Sequence, residues 1–282
     1  MSQLRLAPIA ACLFLGVFGA PAVAQSMTEL PDISREFLNL QNRLEGDTIR
    51  FCVYGASAIG EYDRAVAQLL GDALLLEVEI HEVEPPIAVE GLDTIPISLE
   101  DLFILLTNDC DGFLGIELAP DVYPEWLTFT RAYFTAPYVV AVREGSFESF
   151  AQLPPGAPIA TQSLSTGDIQ FGAFNTNLPE AERLSRRPYP HTILQLERLR
   201  DETVDAAVVW RPWLERNEAD MAGLATLPAT QLALPSRPMG IALRSRDTYL
   251  RTSLDQAIAQ LEADGLLDQL YGELYRPVGT QP

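Results

Sequence analysis

The 282-residue chain contains no lysine. Arginine alone carries its positive charge, and 39 acidic against 19 basic side chains leave a formal net charge of −20. Such a surface repels nucleic-acid phosphates and anionic lipid headgroups, so neither is an expected partner. It suits a basic partner protein or a cationic ligand instead. Histidine is nearly absent too: His81 ends an alternating segment and His191 follows Pro190, and neither has a visible catalytic partner. The chain lacks Gly-x-Gly-x-x-Gly, a P-loop, His-Glu-x-x-His and a nucleophile elbow. Carboxylate pairs such as Glu117 and Asp121 are unremarkable among so many acids. These absences argue against an enzyme, a cofactor and a metal site.

Cysteine is scarce, with three residues. Cys12 lies in an N-terminal segment that reads as an export signal: Arg5, an apolar stretch from Leu6 to Gly19 too short to span a bilayer, then Ala22-Val-Ala24. Cleavage after Ala24 places the mature chain in the periplasm. Ile9-Ala-Ala-Cys12 offers the alternative of a lipoprotein signal. No later segment reaches transmembrane length, so no membrane insertion is expected. Removal of the signal leaves Cys52 and Cys110 as an even pair in an oxidising compartment. Cys52 falls in an expected strand, Ile49 to Tyr54, and Cys110 at the turn into another, Gly112 to Ile116. As neighbours in a parallel sheet these strands bring the two cysteines into bridging range, so a disulfide is expected.

What is present is a hydrophobic share of 48% with 21% charged residues, the balance of a globular protein. One phrase occurs twice. Leu99 to Leu106 reads as an amphipathic helix, followed by a polar turn and the apolar strand Asp111-Gly-Phe-Leu-Gly-Ile-Glu117. Thr192 to Leu199 repeats the helix, followed by a turn and Asp205-Ala-Ala-Val-Val-Trp-Arg211. Continuous apolar runs of this length fit parallel strands buried on both faces, and open α/β sheets bind ligands beyond the carboxyl ends of such strands. Glu117 and Trp210-Arg211 therefore become expected walls of a cleft between two α/β lobes.

Further elements frame those strands. Helices are expected at 61–75, 147–153, from 168, at 248–263 and at 265–275. Pro137 excludes a helix across 126–142, whose tail from Tyr138 to Val142 reads as a long strand. Arg186 to Pro190 reads as a loop, and 232–234 and 239–243 as return strands. Pro85 to Pro96 reads as an irregular loop, and Arg143 to Ser146 as the crossing between lobes. The expected domains are a signal peptide (1–24), a lead-in segment (25–47), a first lobe (48–143 plus 238–282) and a second lobe (144–237).

Loops and strand ends supply the candidate ligand-binding residues. The first lobe offers Tyr54, Ser57, Glu61, Tyr62, Glu117, Thr130, Arg131 and Tyr133. The second offers Gln162, Ser163, Ser165, Thr166, Trp210 and Arg211. Aromatic walls with a few directed polar groups are the usual chemistry of a small-molecule pocket. Ser163 to Gly167 also opens a helix, where backbone N–H groups serve an anion or an ordinary N-cap. Two tryptophans flanking Arg211 and Pro212 are expected to lie partly outside the core.

At these residues the chain resembles a periplasmic solute-binding protein of family 3, the type II fold. The likeness rests on the opening strand, Cys110-Asp-Gly-Phe-Leu-Gly, Tyr133-Phe-Thr-Ala-Pro-Tyr-Val-Val, the Gln162 to Gly167 turn, Val204-Asp-Ala-Ala-Val-Val and Leu261-Glu-Ala-Asp-Gly-Leu-Leu. The resemblance implies two α/β lobes, each a mostly parallel sheet flanked by helices, joined by two hinge strands and closing on a solute delivered to an ABC permease. Amino-acid binders of that family carry Thr-Pro-Glu-Arg where this chain has Tyr123-Pro-Glu-Trp126. They also carry an aspartate where it has Trp210. Both charged anchors of an α-amino acid are thus missing, and leaving such charges unpaired on burial is costly. Val208-Val-Trp-Arg-Pro-Trp213, Thr130-Arg-Ala-Tyr-Phe134 and the two cysteines resemble the branch associated with quinoprotein methanol and alcohol dehydrogenases, although Arg211 stands where that branch has glycine. That branch implies an accessory role beside a periplasmic quinoprotein dehydrogenase or its cytochrome. The alternatives are a transport receptor for a small polar solute that is not a standard amino acid, and an enzyme evolved on the same scaffold.

Overall fold

The computed structural model describes residues 47–84, 91–92, 97–119, 123–216, 222–229 and 232–275. The expected signal peptide, the lead-in segment before Asp47 and most of the 85–96 loop lie outside those residues. Two similar α/β blocks follow one another. The first contains β1 (Thr48–Val53), α1 (Gly60–Leu74), β2 (Glu77–Glu82), α2 (Leu99–Asn108), β3 (Gly112–Glu117) and β4 (Leu127–Phe129). A long strand, β5 (Phe134–Arg143), leads into β6 (Pro158–Gln162), α3 (Thr166–Asn177), β7 (Ser185–Tyr189), α4 (Thr192–Arg200), β8 (Ala206–Trp210), α5 (Pro212–Glu215) and β9 (Leu224–Leu227). The chain returns through β10 (Ser236–Arg244) and closes with α6 (Thr248–Ala263) and α7 (Leu266–Leu274).

The strands run β2-β1-β3-β10-β5-β8-β6-β7, with β4 beside β10 and β9 beside β5. β1 pairs in parallel with β2 and β3, and β6 in parallel with β7 and β8. β5 joins the blocks by changing partner. Phe134 to Pro137 pair antiparallel with Met239 to Ser236, and Tyr138 to Val142 pair antiparallel with Trp210 to Ala206. Proline cannot donate to a ladder, so the point of exchange is where a strand tolerates one. Pro137 sits there, upstream of the crossing expected at Arg143 to Ser146. This is the mixed, two-lobed α/β architecture expected from the sequence.

Local chemistry explains the elements. Every residue of β8 is buried, as its unbroken apolar run requires. α1 buries Tyr62, Val66, Ala67 and Leu70 at helical spacing, and carries Glu61 and Asp63 at its positive N-terminal end. Ser98 caps α2 by accepting the Asp101 N–H at 3.0 Å. Because β2 and β3 flank β1, the β1-to-β2 and β2-to-β3 crossovers run in opposite directions across the sheet, and the right-handed rule for such connections then puts α1 and α2 on opposite faces. The buried side chains accordingly fall into two core clusters, one that holds α1 and runs on through the second block and the closing helices, the other around α2. Cys52 and Cys110 are disulfide-bonded on the α2 side, with Cα atoms 5.6 Å apart. The bond spans a sequence separation of 58, for which loop-closure entropy gives about 4 kcal/mol of stabilisation.

Four local expectations are corrected. The helix at 147–153 is a single 3₁₀ turn, Phe150–Gln152, because Pro154 holds Leu153 extended. Residues 186–190 read as a loop in sequence, yet 185–189 form β7. Its side chains are mostly exposed, and it is held by backbone pairing at a sheet edge, where Pro188 is tolerated. The short return strand lies at 224–227 rather than 232–234. His191, read as a loop residue, caps α4 by accepting the Leu194 N–H on Nδ1 at 3.2 Å.

Candidate ligand-binding site

The carboxyl end of β3 is shaped by a glycine. Gly115 has φ +79°, a left-handed conformation that costs a side-chain-bearing residue about 1 kcal/mol or more. Opposite it, the β3–β10 ladder shifts register between Gly240 and Ala242. The Gly115 N–H donates to the Tyr133 hydroxyl at 2.7 Å, and that hydroxyl donates to Asp63 Oδ1 on α1 at 2.6 Å. Burial pushes the Asp63 carboxyl up to about 7, against the opposing pull of the Tyr133 hydroxyl and the Arg64 charge. This buried chain fixes β3 relative to α1.

Beyond that bend stands Glu117. Its Oε2 accepts Arg237 Nε at 3.0 Å and lies 2.9 Å from Arg237 Nη2. The arginine side chain is 1% exposed and the glutamate 22%. Behind the pair, the Arg237 guanidinium carbon lies 4.5 Å from the centroid of the Trp210 ring. A pocket of about 140 Å³ opens in front, walled by Ile97, Leu99, Leu102, Ile116 and Tyr123, with Glu117 and Arg237 as its charged residues. The Tyr123 hydroxyl donates to the Glu117 carbonyl at 2.8 Å.

Trp210, expected as a cleft wall, is 1% exposed, as is Trp213. The Trp210 indole N–H donates to the Ala136 carbonyl at 3.0 Å, and its ring meets Phe134 edge-on. A backbone acceptor and a cation stacked on the ring meet the polar needs of the indole, which lets it pack inside. Arg216 lies over the Trp213 ring at 5.0 Å in the same manner. The tryptophans are core residues of the hinge region.

The second lobe contributes a rigid turn. Ser165 caps α3 by accepting the Asp168 N–H at 3.1 Å, and the Ser163 N–H donates to the Tyr189 carbonyl at 2.8 Å. Asp168 accepts the Leu164 N–H at 3.0 Å and both Arg186 nitrogens at 2.6 and 2.5 Å. Burial raises its carboxyl, but these donors outweigh burial and hold it below the ordinary range. A Cβ on Gly167 would stand 2.6 Å from the Tyr138 ring, so glycine alone fits between α3 and β5. Ser163 is exposed, Thr166 half-buried and Leu164 86% exposed. The buried Gln162 carbonyl oxygen of the side chain accepts the Thr192 hydroxyl at 3.1 Å. Chain from the first lobe reaches this region: the Thr192 N–H donates to the Gly91 carbonyl at 2.8 Å.

Arg131 and Arg211 do not join Glu117. Together with Tyr62, Tyr133, Phe134 and Tyr271 they line a cavity of about 410 Å³ beside α1 and α7, on the sheet face away from α2. Arg131 pairs with Glu262 at 2.5 Å, and its N–H donates to Asp255 at 2.6 Å. Arg211 Nε lies 3.3 Å from Glu215 Oε2, which accepts the Tyr271 hydroxyl at 2.6 Å. Burial first, then the Glu215 contact, raises the Tyr271 hydroxyl well above its ordinary range. Of the other candidates, Tyr54 is buried on the α2 side, the Ser57 hydroxyl accepts the Ile59 N–H at 3.1 Å, Glu61 is exposed, and the Thr130 hydroxyl donates to the Arg131 carbonyl at 2.8 Å. Sequence reading missed Arg237, Asp63, Glu215 and Tyr271. Arg237 left a trace, as a charged residue leading directly into an apolar strand.

No family model matches the chain. It is 27% identical over 158 residues to the ABC transporter arginine-binding protein 1 of Escherichia coli K12, a match covering 55% of this chain. The chain spans 62% of that relative's length. Among solved structures, it resembles an ancestral cationic amino acid solute-binding protein at a TM-score of 0.61 and 19% identity, covering 82% of this chain and 96% of that one. A second structure of that ancestor, described as a precursor of cyclohexadienyl dehydratase, matches at a TM-score of 0.54 with the same identity and coverage. The second substrate-binding domain of Lactococcus lactis GlnP, in its open conformation, matches at 0.61 and 12% identity, covering 83% and 98%. These likenesses establish the two-lobed fold of the type II solute-binding proteins. Among the described residues, no helix is long and apolar enough to cross a membrane, and no group of three or more His, Cys, Asp or Glu is placed to hold a metal ion.

Proposed function

We propose that the chain is the solute-binding receptor of an ABC transporter, working in the periplasm without catalysis of its own. It would capture a small solute that is not a standard amino acid and present it to a permease. The observation that carries this reading is the pocket at the carboxyl end of β3, the position where α/β sheets hold ligands, next to a strand shared by both lobes. The relative named as an ABC transporter arginine-binding protein and the neighbour named as a substrate-binding domain add weight. In this reading the signal peptide covers 1–24, and the lobes turn about β5 and β10.

Departure from an amino-acid ligand follows from the same pocket. Its one arginine is committed to Glu117 and lies behind it, so an incoming α-carboxylate meets no free guanidinium. The rival role, as accessory to a quinoprotein dehydrogenase, drew on the segment Val208 to Trp213. With both tryptophans inside the hinge core, that segment offers less recognition surface than expected, and the relatives favour the receptor. Thermal-shift screening of the mature protein against small polar solutes tests the proposal. A solute that raises Tm in a concentration-dependent way, with compaction of the particle in X-ray scattering, supports the receptor. Co-purification with a dehydrogenase or its cytochrome, and no response to any solute, replaces it with the accessory role.

A further inference from the structure

The Glu117–Arg237 pair is an oriented dipole. Both arginine contacts fall on Glu117 Oε2, and among the described residues Oε1 takes none. The positive end is sealed at 1% exposure against the Trp210 ring, and the negative end faces the pocket at 22% exposure. An ion close to such a pair interacts more strongly with the nearer, less screened charge. Tyr123, on the pocket wall, registers that sign: burial first and then the Glu117 charge push its hydroxyl up, against a smaller opposing pull from Arg237. The remaining walls are apolar, and the space of about 140 Å³ accepts a body of a few carbon atoms. The acidity of the whole chain, −20, draws cations towards it as well.

From this geometry we infer that the pocket takes a small organic cation: an ammonium or guanidinium head on a short apolar body, without a carboxylate. The head donates hydrogen bonds to Glu117 Oε1, and the alkyl portion lies against Ile97, Leu99 and Leu102. A carboxylate-bearing solute of equal size is rejected, because its charge meets Glu117 before Arg237. This assignment rests on the receptor reading and names its class of solute.

The test is isothermal titration and thermal shift of the mature protein with four probes: n-butylamine, n-butylguanidine, n-butyrate and arginine. The expected result is stabilisation by the first two at millimolar concentration and none by the last two. Glu117→Gln, which keeps the shape and one acceptor, should weaken the cations by about tenfold or more, the usual worth of a charged hydrogen bond. Since that variant also removes the Glu117 charge from the buried Arg237, Leu99→Trp, which fills the pocket and leaves the pair intact, should also abolish cation binding. Binding of n-butyrate or arginine with no response to the amines overturns the cation assignment while the receptor reading stands. Equal cation binding by wild type and both folded variants overturns the choice of pocket. Absence of response to all four probes, joined by failure of a broad solute screen, overturns assignment and receptor together.

Discussion

Two glutamate–arginine pairs flank the hinge, and they are built with opposite polarity. On the α2 side the arginine is sealed and the glutamate shows, at 1% and 22% side-chain exposure for Arg237 and Glu117. On the α7 side the glutamate is sealed and the arginine shows, at 0% and 35% for Glu215 and Arg211. The chemistry of the pairs is identical, yet the partner that meets solvent is the carboxylate of Glu117 on one side and the guanidinium of Arg211 on the other. Which partner is hidden from water sets what the loss of the other costs. The two sites also differ in support. Arg237 has an aromatic face behind it, whereas Glu215 has a second donor, the Tyr271 hydroxyl.

That contrast can be broken at its strongest point first. Glu117→Ala takes the Glu117 carboxylate away from the buried Arg237, and urea unfolding should show a loss of about 3–5 kcal/mol, the range for breaking a buried pair by removing one partner. Next, Tyr271→Phe removes a buried hydrogen bond to a carboxylate and should cost about 1.5–3 kcal/mol by the same measurement. Arg211→Ala should cost about 1 kcal/mol, because the half-exposed guanidinium is solvent-screened and Glu215 keeps its tyrosine donor. Equal costs for Glu117→Ala and Arg211→Ala would show that the polarity of the pairs does not matter.

A pH titration sharpens the comparison in a different way. Among the described residues no cation is bonded to Asp63, so burial dominates and pushes its carboxyl up to about 7 from its ordinary value of 3.8. The folded state therefore holds more protons than the unfolded state between those values, and stability falls as pH rises from about 4 to about 7. Asp63→Asn should flatten that slope, measured as Tm against pH. Asp168 runs the other way. Its lowered carboxyl contributes stability above its unfolded value, and that contribution is lost as pH drops through the folded one. Replacing Arg186 by alanine should reduce the acid-side loss, because the Leu164 N–H still holds the carboxyl, and leave the Asp63 slope untouched.

Much of the fold was legible along the chain, since it depends on local periodicity. The duplicated helix-and-strand phrase, the apolar runs of β3 and β8, the amphipathic closing helices and the Cys52–Cys110 bond all rest on patterns a linear reading captures. β7 escaped because its exposed Ser-Arg-Arg-Pro-Tyr carries no apolar signal and its stability comes from backbone pairing to β6. The site was legible only in part. Glu117 was found because strand ends are where ligands sit, but its partner Arg237 lies 120 residues away in sequence. Arg131 and Arg211 share with it only proximity to strand ends, and the fold sets them in a different cavity. An indole after a buried strand looks superfluous to a core in sequence, but the Ala136 carbonyl and the Arg237 guanidinium give Trp210 its polar partners inside.

Composition and periodicity by themselves determined an acidic, two-lobed α/β chain with a disulfide and a pocket-forming strand end. Which charges meet, and which partner of each pair is hidden from water, was decided only by tertiary structure. The reason is that hydrophobic spacing is read within a few residues of chain, whereas an ion pair forms between whatever groups the packed strands bring side by side.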